Sequence, residues 1–219
     1  MKLYPVMLNI TGKKVLVIGG GDVAARKVRD LVECGAMVTV VAPSVEASIT
    51  ELKNSYPENI DIVQRAYMKG DLVGALMVFS ATDDDRVNRI VHHDAGELNI
   101  FINAVDDPPN CTFFVPSWFE RGGLVISVST GGVSPSMAAR IRRDIEKIIP
   151  DAIEATLAAL QQARTLLRED DEFHGLSSEA RGRILKQIVI DDKLLEELIV
   201  NYKNDTVKKF LKKISSNES

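Results

Sequence analysis

The sequence predicts an α/β fold: a parallel sheet covered by helices, then a small strand–helix segment, then an all-helical C-terminal part. Three observations carry this. Short apolar, often β-branched runs alternate with amphipathic segments over residues 14–106. A glycine-rich turn, Gly19-Gly20-Gly21, joins the first run to the first amphipathic segment. Strand signals stop after Pro150. Strand and helix in alternation demand a parallel sheet, because each strand needs a crossover to bring the chain back to the starting edge.

Taken in order, Lys14 to Ile18 reads as a buried strand. Val23, Ala24, Val28, Leu31 and Val32 then recur at helical spacing over 22–34, and Gly35 is a helix stop. Met37 to Val41 is the second strand, 45–53 a helix, 60–64 a strand and 75–80, ALMVFS, another strand. Residues 84–98 are helical, and 99–105, NIFINAV, return to strand. DDPPN, at 106–110, is a stiff turn, since paired prolines continue neither element. CTFFVPSWF (111–119) and LVISVST (124–130) read as two strands with no helix between them. SPSMAARIRRDIEKII (134–149) is a helix that Ser134 can cap and Pro135 can open. Residues 151–214 read as three or four helices, broken near Phe173-His174-Gly175 and at Asn201 to Asp205, with the tail KKISSNES frayed. The expected division is 1–112 for nucleotide binding, 113–149 as a linking segment and 150–219 as a helical domain.

Bulk composition narrows the classes. A chain of 219 residues suits one large domain or two small ones. Apolar residues make up 45% and charged residues 26%, which places it with soluble globular proteins. The net charge of -4 gives no whole-chain case for nucleic acid or an anionic membrane, so any anion site must be a local basic patch. Cys34 and Cys111 stand far apart without CxxC spacing, which argues against a disulfide framework or zinc knuckle and for a reducing compartment. The N-terminus, interrupted by Pro5 and Gly12, does not read as a signal peptide. No apolar stretch approaches the ~18 residues of a membrane span. A cytoplasmic protein with no nucleic-acid or membrane partner is expected.

Gly19, Gly21 and Ala24 form G-x-G-x-x-A after a strand and before a helix, the context of a Rossmann-type dinucleotide fingerprint. Gly19 makes the tight turn, Gly21 lets a pyrophosphate approach the backbone, and Ala24 lets the helix lie close on the strand. The free N–H groups of the helix start then face the phosphates. An acidic residue that would hold the ribose 2′-OH about 20 residues on is missing; the chain reads Val40-Val41-Ala42-Pro43-Ser44 there. No arginine favours a 2′-phosphate either, and Ser44 or nearby backbone is left to contact the ribose. Thr82 and Asp83, at the carboxyl end of a strand, can touch the adenosine side or cap the following helix.

Asp106 ends the last strand of this part, where a carboxylate can take a proton while a hydride leaves to the cofactor. Its neighbour Asp107 points the other way in extended chain. SVSTGGVSPSMAAR places hydroxyls and glycines before a helix that carries Arg140, Arg142, Arg143 and Lys147. Arginines fork onto carboxylates, so this helix suits a polycarboxylate substrate, or is a solvated face pairing with Asp144 and Glu146.

YPVMLNITGKKVLVIGGGDVAARKV (4–28), ATDDDRVN (81–88), NAVDDP (103–108), FFVPS (113–117) and VSTGGVSPSMAARIRRDIE (128–146) together resemble the precorrin-2 dehydrogenase/sirohydrochlorin ferrochelatase family. This is the module that forms the front half of siroheme synthases. The resemblance covers about residues 1–150. It implies oxidation of precorrin-2 to sirohydrochlorin with NAD as acceptor, with Asp106 at the position used for both dehydrogenation and chelation. It implies nucleotide contacts at Asp22, Val23, Pro43 and Ser44, and a homodimer built through about 113–149. The octacarboxylate tetrapyrrole would meet the substrate candidates Thr130, Ser134, Arg140 and Arg143. Thr130 stands where some relatives carry serine. The methyltransferase half of the fused enzymes is not matched, so precorrin-2 is expected from another protein.

Iron insertion stays open. It needs an acceptor for two pyrrole protons, which Asp106 could be, with Fe²⁺ as a substrate; some family members are dehydrogenases only. No lasting metal site is expected: His92 and His93 project about 100° apart on a helix, and His174 stands alone. A reading of another class is an NAD(H)-sensing regulator without catalysis, whose basic tail KNDTVKKFLKK (203–213) binds a partner. That run reads equally as a solvated amphipathic helix end.

Overall fold

The computed structural model describes residues 2–105 and 107–216. Contacts divide the chain into two compact units, Met1–Val115 and Pro116–Ser219. The first comprises β1 (Lys14–Ile18), α1 (Asp22–Glu33), β2 (Met37–Ala42), α2 (Ala47–Ser55), β3 (Ile60–Gln64), β4 (Met77–Ser80), α3 (Asp85–Glu97) and β5 (Phe101–Ala104). All pairings are parallel, in the order β3-β2-β1-β4-β5. The chain leaves β1 in one direction across the sheet and returns past it to β4. That reversal opens a crevice at the carboxyl ends of β1 and β4.

The sequence pattern explains the layers. Successive side chains of a strand point to opposite faces. Val15 and Val17 pack with Ala24 and Val28 of α1 and Ile49 of α2; Leu16 and Ile18 pack with Val91 and Ala95 of α3. A strand buried on both faces reads as an unbroken apolar run, as VLVI does. α1 buries Ala24, Val28, Leu31 and Val32 as expected, with Ala25 in place of the half-buried Val23, and closes at Gly35, whose φ of 78° is one that glycine adopts without strain.

Two departures are informative. No helix joins β3 to β4; a short 3-10 turn at Lys69–Leu72 does, buttressed by Arg65 and Asp71. The strand expected over 111–119 is instead β6, Ser117–Arg121. Pro116 lacks an N–H and interrupts the run. The stretch before it runs beside β5: the Thr112 N–H donates to the Ile102 carbonyl (2.8 Å), and the Ile102 N–H donates to Thr112 Oγ1 (2.8 Å). A hydroxyl has taken one rung of the ladder.

In the second unit β6 forms an antiparallel hairpin with β7 (Leu124–Val128), and α4 (Pro135–Ile148) packs against both. Ser134 caps α4 as expected, its Oγ accepting from the Met137 N–H at 3.2 Å. Four helices follow, α5 (Ile153–Glu169), α6 (Ser178–Ile190), α7 (Asp192–Lys203) and α8 (Val207–Ser215). Ala163, Leu167, Ile184, Ile188, Leu198, Phe210 and Leu211 form their core. The tail is helical as far as Ser215, not frayed from Lys212, because Ile214 is buried and Lys213 reaches Glu197 at 2.8 Å. Lys208 pairs with Asp170 at 2.9 Å and Glu172 at 3.1 Å, and Lys212 also meets Glu172. Three lysines of the basic run are therefore paired within the bundle.

Candidate nucleotide-binding site

Three loops converge at the carboxyl ends of β1, β2 and β4. The Gly19 N–H donates to the Val41 carbonyl (3.0 Å), the Ala81 N–H to Ile18 (2.7 Å) and the Glu46 N–H to Gly20 (2.8 Å). The glycines divide the labour sterically. A Cβ on Gly19, which holds φ 123°, would lie 2.1 Å from the Ala81 carbonyl oxygen, and one on Gly20 would lie 2.0 Å from that of Ser44. A Cβ on Gly21 would meet nothing within 4 Å. Gly19 and Gly20 let the loops close on one another; Gly21 keeps open the space in front of α1.

That space faces an uncapped helix. Gly21 is the N-cap of α1 and supplies no side-chain acceptor; α2, α5 and α8 also lack a side-chain cap, whereas α3, α4, α6 and α7 are capped by Asp84, Ser134, Ser177 and Asp191. The first-turn N–H groups, those of Asp22 and Val23 among them, lack intrahelical acceptors and point where the missing Cβ leaves room. Ala24, fully buried, sets the helix against β1. These features fit a dinucleotide pyrophosphate. Pro43 and Ser44 are exposed beside the same opening. Thr82 is half-buried and Asp83 exposed, and neither caps α3. Asp84 does: it is the N-cap, in extended conformation, and its carboxylate accepts from the Arg86 N–H at 2.8 Å. That proximity, with the Arg86 side chain, holds the Asp84 carboxyl below the usual carboxylate range.

Asp106 lies outside the described residues. Its surroundings are ordered by hydrogen bonds. The Val105 N–H donates to the Ser80 carbonyl (2.9 Å) and the Asn110 amide to Asp107 Oδ2 (2.6 Å). Cys111 Sγ accepts from the Ala104 N–H (3.2 Å) and faces the carbonyls of Ala104 and Asp107. Burial pushes this thiol's pKa up, so Cys111 acts there as a neutral tie.

The remaining candidates belong to the second unit. Thr130 Oγ1 accepts from the Ser134 N–H and donates to the Ser134 carbonyl, both at 3.0 Å, which closes the turn through Gly131 and Gly132. On α4 Arg142 pairs with Glu146, and Arg140 Nε approaches Asp144 at 4.0 Å. Arg143 has no ion-pair partner among the described residues. Arg140 and Arg142 are thus engaged along the helix, and Arg143 is exposed.

His93, Asp94 and Glu97 bring possible metal-ligand atoms within 4.8 Å of one another. Lys69 already supplies the cation, with Nζ 2.6 Å from Glu97 and 3.9 Å from Asp94. The buried Asp94 also accepts from the Tyr67 hydroxyl at 2.9 Å. This cluster ties the 3-10 turn to α3. His92 meets the Asn110 carbonyl at 3.1 Å, and His174 sits 3.4 Å from Asp171.

Residues 6–117 match the family model described as "Putative NAD(P)-binding", and residues 121–148 match the one described as sirohaem biosynthesis protein central. The solved structure of SirC, precorrin-2 dehydrogenase, superposes with a TM-score of 0.75 at 28% identity, over 98% of this chain and 100% of that one. The chain belongs to the precorrin-2 dehydrogenase family. Among its sequence relatives are the siroheme synthase of Stutzerimonas stutzeri, 38% identical over 77% of this chain and 36% of that protein, and siroheme synthase 3 of Aeromonas hydrophila, 33% identical over 90% of this chain and 41% of that protein. The chain spans about a third of the length of the curated relatives it matches.

Within this family fold, sequence reasoning passed over three residues that order the site: Gly20, Asn88 and Cys111. The unbroken Gly-Gly-Gly was a signal for the first, since G-x-G needs only its outer two glycines. Asn88 and Cys111 carry no local signal, because their partners lie 6–8 and 4–7 residues away in other elements.

Proposed function

We propose that this chain oxidises precorrin-2 to sirohydrochlorin with NAD, on the route to siroheme. The observation that carries this reading is the correspondence with precorrin-2 dehydrogenase along the full length of both chains, with an open, uncapped α1 at the nucleotide end. NAD, when bound, supplies a hydride acceptor. Gly21 and the first-turn N–H groups of Asp22, Val23 and Ala24 hold its pyrophosphate. Pro43 and Ser44 line the ribose, and Thr82 and Asp83 the adenosine side. Oxidation removes a hydride and a proton from the macrocycle, and the Asp106 carboxylate takes the proton at one of its oxygens. Arg143, without an intrahelical partner, takes a substrate carboxylate; Arg140, Thr130 and Ser134 are secondary contacts. Fe²⁺ insertion, if the chain performs it, uses the same Asp106 as acceptor of pyrrole protons.

The organisation that goes with this reading is a nucleotide domain at 1–112, a dimerisation segment at 113–149 and a helical domain at 150–219, in a cytoplasmic homodimer. Support for the dimer comes from α4 and the turn before it. Met137, Ile141 and Ile148 are exposed at a spacing that puts them on one face of α4, and Val133 is exposed just before the helix. A second copy of the chain would cover that face.

The test is turnover. Purified protein mixed with NAD and precorrin-2 should produce NADH and sirohydrochlorin, and repeating the reaction with Fe²⁺ asks whether siroheme follows. Asp106→Ala should lower kcat by about 10²–10⁴. A variant that turns over at the wild-type rate removes Asp106 from the mechanism. Ile141→Asp should sediment as a monomer if α4 is the interface.

A further inference from the structure

We propose that Asn88 is a positioning residue: through its bond to the Thr82 carbonyl it fixes the nucleotide-side loop after β4. The inference rests on the nucleotide site proposed above. Asn88 lies in the first turn of α3, half-buried, with both ends of its amide engaged. Its Nδ2 donates to the Thr82 carbonyl at 2.9 Å, and its Oδ1 accepts from Ser80 Oγ at 2.6 Å. Ser80 is 1% exposed and is registered between Ile18 of β1 and Ala104 of β5. Its carbonyl accepts from the Val105 N–H at 2.9 Å. One side chain therefore meets both the end of β4, at Ser80, and the loop that carries Thr82 and Asp83.

Helix formation does not require this amide. Asp84 already caps α3, and the Asn88 N–H donates to the Asp84 carbonyl at 3.0 Å as ordinary helix backbone. The amide serves the loop instead. Ala81, between Ser80 and Thr82, presents the carbonyl against which Gly19 is packed. A shift of the Thr82 carbonyl would thus be felt at the glycine turn. Asparagine is selected by chemistry: the position needs one acceptor for a hydroxyl and one donor for a carbonyl on a short stem. Aspartate satisfies only the first.

The experiment compares Asn88→Asp, Asn88→Ala and Ser80→Ala with wild type by calorimetric titration with NAD, thermal melting, and the separate KM values for NAD and precorrin-2. Asn88→Asp and Asn88→Ala should raise the Kd and KM for NAD about tenfold, the loss expected for one loop-fixing hydrogen bond. The KM for precorrin-2 should stay within about twofold. Ser80→Ala, which keeps the Thr82 bond, should lower the melting temperature yet leave the NAD Kd within about threefold. An Asn88→Asp protein with wild-type NAD affinity overturns the inference. So does a uniform loss in which both KM values rise together and Ser80→Ala behaves like the Asn88 variants. If wild type binds NAD but does not oxidise precorrin-2, the proposed reaction fails while the Kd comparison still decides the role of Asn88. If wild type does not bind NAD, both fall.

Discussion

Replacing the three glycines one at a time separates packing from ligand binding. At Gly21 the backbone sits at φ -87°, ψ -172°, open to any residue, and an added Cβ meets nothing within 4 Å. Alanine caps a helix less well than glycine by up to about 1 kcal/mol, but restricting the unfolded chain returns roughly 0.4–1 kcal/mol. Gly21→Ala should therefore melt close to wild type. Its methyl group fills the space through which a pyrophosphate reaches the α1 N–H groups. Losing one charged hydrogen bond costs about 1.5–3 kcal/mol, so the NAD Kd should rise about ten- to a hundredfold. Gly20→Ala reverses the pattern. Its Cβ would stand 2.0 Å from the Ser44 oxygen and 2.9 Å from the Val45 Cα, both backbone atoms. Relief requires moving a loop, an overpacking cost of roughly 1–3 kcal/mol or more. At about 2–4 °C per kcal/mol, its melting temperature should fall by several degrees. Calorimetry measures both quantities. A Gly21→Ala protein that binds NAD as tightly as wild type would refute the assignment of that opening to the phosphates; a Gly20→Ala protein of unchanged stability would refute the packing argument.

Three further outcomes are expected. The hydrogen bonds from Arg65 hold the Asp71 carboxyl below the usual carboxylate range, so this stabilisation is complete above about pH 4 and lost as pH falls through the depressed folded value. Asp71→Asn should be less stable by about 1 kcal/mol at neutral pH, a modest figure because Arg65 is 40% exposed, and urea titrations should show the gap closing in acid. Arg143→Ala should raise the KM for precorrin-2 several-fold without moving the melting temperature, whereas Arg142→Ala should lose only the ~0.3–0.5 kcal/mol of its helix pair with Glu146. Phe210→Ala, in the centre of the four-helix core, should cost about 3–5 kcal/mol by urea unfolding and leave NAD affinity intact.

Much of the architecture was legible from local pattern. Every strand of the parallel sheet was anticipated within two residues at each end, because a strand buried on two faces is written as a contiguous apolar run. Gly35 and Ser134 marked helix ends correctly, since their conformational and capping preferences act within a few residues. The errors arise where a distant partner decides. The run at 111–119 has strand composition throughout, yet Pro116 and the Thr112 hydroxyl against β5 divide it. Lys212 to Ser215 look like a charged, fraying tail until Ile214 and Phe210 find the core of the bundle.

By itself, the sequence determined the parallel α/β class, the position of the glycine turn before α1 and the family to which the chain belongs, because periodicity and motif spacing are properties of neighbouring residues. Only the tertiary structure decided which glycine packs and which opens, that Lys69 fills the His93–Asp94–Glu97 cluster, and that Asn88 and Cys111 bind the loops around the site. Those contacts join atoms brought close by the sheet and its crossovers, and no short-range preference of the chain encodes them.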